Sequence, residues 1–127
     1  MLNTKTVVSS FSVNDLEKAK EFYTQKLGLK LDDEKMALQF SLPGAGKMFV
    51  YPKEDHKPAE FTILNFVVDD IEAAVDELSK AGITFEKYEG FHQDDKLIAR
   101  GIAANMGPDI AWFKDPAGNI LSVLQEK

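Results

Sequence analysis

The chain says the same thing twice. Val13-Asn14-Asp15-Leu16-Glu17-Lys18-Ala19 returns about 55 residues later as Val68-Asp69-Asp70-Ile71-Glu72-Ala73-Ala74, and Leu27-Gly28-Leu29 returns as Ala81-Gly82-Ile83. A solenoid needs about three or more repeats to bury its core, so two copies point to a duplicated module. At 127 residues, 44% of them hydrophobic, the chain is long enough for one ordinary globular domain. The expectation is a single domain over residues 1–127, with module one at 1–55 and module two at 60–127.

Each copy reads as strand, turn and amphipathic helix. Residues 6–13 alternate, with Val7, Ser9, Phe11 and Val13 on one face and Val8, Ser10 and Ser12 on the other. Asn14 is the expected cap of the first helix, whose apolar stripe is Leu16, Ala19, Phe22, Tyr23 and Leu27, and Gly28 is its left-handed terminator. Three short strands are expected at 29–33, 36–41 and 47–51, the last two joined by the turn Pro43-Gly44-Ala45-Gly46. Residues 52–60, polar and with two prolines, read as the linker.

The second copy opens with a strand at 61–68. Asp69 is the expected cap of a helix carrying Ile71, Ala74, Val75 and Leu78, and Gly82 ends it. Strands are expected at 83–91, 110–114 and 119–125, with Asp115-Pro116-Ala117-Gly118 turning between the last two. Residues 91–108 carry no clear pattern, and a long irregular stretch in a small domain is often a binding loop.

Composition narrows the function by exclusion. A net charge of −6 repels phosphate backbones, so no nucleic-acid partner is expected, while neutral or cationic small ligands suit it better. No apolar run approaches the roughly 20 residues that span a bilayer, and no leader-like segment precedes the first strand, so no membrane partner and a cytoplasmic location are expected. The absence of cysteine removes thiolate nucleophiles, disulfides and cysteine-type zinc sites.

Three stretches together resemble the vicinal oxygen chelate superfamily of glyoxalase I, extradiol dioxygenases and bleomycin-resistance proteins. They are residues 13–23 with Leu27-Gly28-Leu29, residues 68–74, and Trp112-Phe113-Lys114-Asp115-Pro116-Ala117-Gly118-Asn119-Ile120. The resemblance implies an α+β fold of two βαβββ modules forming a curled mixed sheet around a cavity, with the helices outside. Alternation then turns Val8, Ser10, Ser12, Ile63, Asn65 and Val67 toward the cavity, and Leu64, Phe66 and Val68 toward the second helix.

Metal-dependent members hold Mn, Fe, Ni or Zn with histidine and carboxylate on the cavity faces of the first, fourth, fifth and eighth strands. Carried over onto this sequence, those positions fall on Val8, on Phe49 or Val50, on Ile63 and on Ser122. None is a normal ligand, and a one-residue slip finds only Val7, Ser9, Thr62, Leu64, Leu121 and Val123. No metal and no cofactor are therefore expected. His92-Gln93-Asp94-Asp95 gathers three potential ligands but reads as a solvated turn, and His56 as linker surface.

Other catalytic patterns are weaker still. Ser9, Ser10 and Ser12 lack a Gly-x-Ser-x-Gly elbow and a histidine nearby in sequence. Pro43-Gly44-Ala45-Gly46-Lys47 lacks the spacing of a phosphate loop. Trp112, Tyr51, Phe49, Phe91 and Phe61 suit either a cavity lining or the core. The resulting expectation is a metal-free small-molecule binding protein, its ligand held by Ser10, Ser12, Tyr51, Asn65, Trp112, Ser122 and Arg100. The catalytic residues stay unassigned, and the family's habit of pairing chains makes a homodimer the expected assembly. The rival reading is a glyoxalase-related enzyme with an unusual or absent metal site, using His92 or Arg100.

Overall fold

The computed structural model describes residues 1–44 and 46–127, so Ala45 of the expected turn lies outside the described residues. The chain divides into two compact units, Met1–Pro58 and Ala59–Lys127. None of the helices among the described residues is long and apolar enough to cross a membrane.

The first unit runs β1 (Val8–Val13), α1 (Leu16–Glu21) with a π-helical continuation at Phe22–Lys26, then β2 (Lys30–Asp33), β3 (Leu38–Ser41) and β4 (Lys47–Pro52). Its sheet has the order β1-β4-β3-β2, with β1 parallel to β4 and the other pairs antiparallel. Alternation does the sorting: Val13, Leu38, Phe40, Met48 and Val50 are all buried on one face. Tyr23 reaches that face from the helix, its ring 5.8 Å from both Phe11 and Phe40. Burial of a side chain this large is worth about 2–3 kcal/mol, and it fixes which side of the sheet the helix covers.

Asp15, not Asn14, caps α1. Asp15 is the last extended residue (φ −139°, ψ 106°) and its Oδ1 accepts the Lys18 N–H at 3.1 Å, so Asn14 lies one position outside the reach of the first turn. At the other end Gly28 has φ +70°, and the Leu29 N–H donates to the Tyr23 carbonyl at 3.0 Å, closing the helix as expected.

The second unit runs β5 (Thr62–Val67), α2 (Ile71–Lys80), β6 (Ala99–Arg100), β7 (Asp109–Lys114) and β8 (Ile120–Gln125), in sheet order β5-β8-β7-β6. The α+β class and the strand–helix–three-strand plan thus hold in both units. Asp70, not Asp69, caps α2, accepting the Ala73 N–H at 3.1 Å, for the same one-residue reason as in the first copy. Ile71 and Val75 of the expected stripe are buried. The Gln125 side chain accepts the Ile71 N–H at 3.0 Å, which ties α2 to the face bearing Ala111, Phe113, Leu121 and Val123.

The strand expected at 83–91 does not form. Residue Phe85 makes a single bridge to Phe113, and farther along that edge of β7 the ladder partners are Ala99 and Arg100. Between them the Gln93 side chain does a strand's work. It accepts the Tyr88 N–H at 2.8 Å and donates to the Glu86 and Leu97 carbonyls, each at 2.9 Å. The irregular stretch therefore contains a short edge strand, and the regular alternation of 83–91 is spent on one bridge and a side-chain clasp.

Candidate functional site

In each unit one sheet face packs on the helix and the opposite face is free of it. On the first sheet, register puts Ser10 beside Phe49 and Ser12 beside Tyr51, with Phe49 also opposite Gln39. Val50 is fully buried on the helix side, which decides between Phe49 and Val50 in favour of Phe49 as the helix-free position. Ser10 and Tyr51 are exposed and Ser12 is half-buried.

Sequence reasoning missed His56. Its Nδ1 lies 2.6 Å from Ser12 Oγ, although 44 residues separate the two. The linker folds back because the Lys53 N–H donates to the Val13 carbonyl at 2.9 Å and the His56 N–H to the Lys53 carbonyl at 3.1 Å. A Lys53–Asp55 ion pair closes the same turn and holds the Asp55 carboxyl below its usual range. Nothing in the local sequence signals this, since the contact depends on where β1 ends.

On the second sheet, Asn65, Ser122 and Trp112 lie side by side across β5, β8 and β7. Ser122 is fully buried and donates to Asn65 Oδ1 at 2.6 Å. Trp112 is 8% exposed because Tyr88 and Phe91 close over it, with ring centroids at 5.4 and 4.9 Å. The Tyr88 hydroxyl is buried without a hydrogen-bond partner, and burial, aided by the Glu86 carboxylate, pushes its pKa up. A buried, unsatisfied hydroxyl is costly, by about 1–3 kcal/mol, until an acceptor reaches it.

Arg100 does not join this group. It sits opposite Asp109 in the ladder, on the helix side, and its guanidinium bonds Asp94 at 2.9 Å, Asp109 at 3.3 Å and Glu72 of α2 at 3.5 Å. Three carboxylates hold it in place and tie α2 to the 94–100 hairpin, on the face opposite to the one that carries Asn65, Ser122 and Trp112. Burial works against the Asp94 charge, but N–H donors from Ile98 and Lys96 and the Arg100 guanidinium outweigh it and lower its pKa. Burial also opposes the Arg100 charge, and its bonds to Asp94 and Asp109 more than offset that.

The residues present do not fit the superfamily's metal. Val8 and Phe49 occupy the helix-free face of the first sheet. In β5, counting back from Val68 meets a bulge between Thr62 and Leu64, so the residue paired with β8 there is Thr62, with Ile63 the extra one. Ser122 is bonded to Asn65. Among the described residues no three His, Cys, Asp or Glu side chains form a group that could hold a metal ion. His92 is exposed, and Asp94 is committed to its turn and to Arg100.

Two strand–helix–three-strand units, each with one helix-free sheet face, define the class of the protein as glyoxalase-like. A family model described as "Glyoxalase/Bleomycin resistance protein/Dioxygenase superfamily" matches residues 6–123, and the chain belongs to that superfamily. Among solved structures it is similar to TnmS3, an antibiotic binding protein from Streptomyces sp. CB03234 (24% identity, all of both chains, TM-score 0.70). It is also similar to a glyoxalase family protein from Enterococcus faecalis (21% identity, 97% of this chain and 99% of that one, TM-score 0.70). A superfamily member from Sphaerobacter thermophilus DSM 20745 matches at 24% identity over 95% of this chain and 98% of its own, with TM-score 0.64. At these identities the likeness is one of fold. A search of the curated proteins finds no match.

Proposed function

We propose that the chain is a metal-free small-molecule binding protein of the glyoxalase/bleomycin-resistance type, with its ligand on the helix-free face of the second sheet. The observation that carries this reading is the aromatic cover of Trp112 by Tyr88 and Phe91, with a buried hydroxyl lacking a partner, beside the Asn65–Ser122 pair. Such a surface offers rings for stacking and a few placed polar groups for orientation, the usual make-up of a small-molecule site. Phe91, 56% exposed, is the part of the cover free to yield to a ligand ring. The net charge of −6 favours neutral or cationic ligands, and aromatic faces add cation–π attraction. The antibiotic-binding description of TnmS3 supports the same direction.

The chain has a single tryptophan, so Trp112 fluorescence reports on this face alone. Titration with cationic antibiotics and with dicarbonyl and glutathione-type metabolites, alongside thermal melting, tests the reading. A ligand at a hundredfold its Kd adds about 2.7 kcal/mol, a rise in Tm of roughly 5 to 10 °C. Quenching without dependence on Asn65 or Tyr88, or a stoichiometric metal in the purified protein with chelator-sensitive melting, overturns it. The reading also includes a homodimer, supported by the exposure of apolar Val7, Phe61 and Val67 on or beside the edge strands β1 and β5. Light scattering after size exclusion tests that part.

A further inference from the structure

Ser12 and His56 form a pairing that the ligand face of the second sheet does not use. The serine is held by β1, whose register fixes it beside Tyr51, and the imidazole is held by the turn anchored through Lys53 to the end of the same strand. Both partners are thus positioned by backbone hydrogen bonds, and the 2.6 Å from Oγ to Nδ1 needs no rearrangement for proton transfer. A serine hydroxyl is a weak nucleophile at neutral pH until an adjacent base takes its proton, and this spacing is the one that activation requires.

We infer that Ser12 and His56 act as a nucleophile–base pair that accepts acyl groups from activated small-molecule esters and thioesters. Ser12 Oγ forms the bond to the acyl carbon while its proton passes to His56 Nδ1. The carbon–oxygen or carbon–sulfur bond to the leaving group breaks, and the alcohol or thiol departs with that proton. Water then attacks the acyl-serine, giving a proton to Nδ1 that returns to Ser12 Oγ as the carboxylic acid leaves. The balance is ester plus water to acid plus alcohol, with no oxidant or metal. Activated esters are the class chosen because aryl oxides and thiolates depart readily, and Phe49 and Tyr51 on the same face offer aromatic surface for an aryl leaving group.

The test is incubation of the intact protein with p-nitrophenyl acetate, following nitrophenolate release and locating the acetyl group by peptide mass spectrometry. The expected result is acetylation of Ser12, absent in S12A and slowed about 100-fold or more in H56Q, since a positioned general base contributes about 10²–10⁴-fold. S12C, which keeps a nucleophile at the same place, remains acetylated there. Acetyl groups on lysines or on His56 with none on Ser12, or an H56Q rate equal to that of the wild type, overturn the inference. Mapping on the wild-type protein decides the first of these even if a variant fails to fold.

Discussion

Two side chains of the second unit look alike in sequence, as polar groups within reach of a ligand, and the structure puts them on opposite faces of the sheet. Ser122 is buried beside Trp112 and bonded to Asn65, whereas Arg100 is bound by Asp94, Asp109 and Glu72 on the helix side. Replacing Arg100 with Ala leaves Asp109, 7% exposed, without its cation. The expected cost is about 1–2 kcal/mol in urea unfolding, below the value for a fully buried pair because a third of the Arg100 side chain is in solvent. Ligand quenching of Trp112 is expected to persist in this variant. The Asp94 carboxyl has a depressed folded pKa, so its contribution is present above its unfolded pKa of about 3.9 and is lost as pH falls through the lower folded value. The stability gap between R100A and wild type therefore narrows below about pH 4, and an unchanged gap down to pH 2 contradicts the tie. Arg100 was illegible in sequence because its role depends on ladder register with Asp109, which no local pattern encodes.

At the scale of elements, the helices were legible to within one residue. Asp69 and Asp70 are both good capping types, and only the backbone's departure from extended geometry after Asp70 selects between them. D70A is expected to cost about 1 kcal/mol and D69A close to nothing, as read by shifts in the denaturation midpoint. The strand expected at 83–91 failed for a different reason. Its alternation suits a strand, but strand formation needs a free edge, and farther along β7 the ladder belongs to Ala99 and Arg100. Gln93 then supplies the missing backbone partners through its amide. Q93A removes three hydrogen bonds and is expected to cost about 1–3 kcal/mol and to shift Trp112 emission to the red as Tyr88 and Phe91 loosen. Unchanged emission with lost stability shows that the aromatic cover is held by its own packing.

At the scale of the whole molecule, the superfamily scaffold is present, and among the described residues no three His, Cys, Asp or Glu side chains form a group that could hold a metal ion. The side chains at the positions carried over from the superfamily's metal-dependent members are Val8, Phe49, Thr62 or Ile63, and Ser122. Addition of Mn, Ni or Zn is therefore expected to leave Tm where a matched ionic strength leaves it, because a metal that binds only the folded state raises stability by RT ln(1 + c/Kd) at free metal concentration c. A rise of several degrees that grows with the logarithm of the concentration of one of these ions contradicts that expectation.

The sequence by itself determined the duplication, the class of fold, the helix-facing and helix-free strand positions, and the identities at the positions where the superfamily's metal-dependent members hold their ligands. The duplication and the strand faces follow from periodicity and spacing, which are local properties of the chain, while the class of fold and the metal positions follow from the resemblance of its motifs to the superfamily. The tertiary structure decided the Ser12–His56 pairing, the place of Arg100, the bulge at Ile63 and the aromatic cover of Trp112. Each of these arises where segments distant in sequence meet or where register shifts by one residue, and neither leaves a mark on the local pattern of residue types.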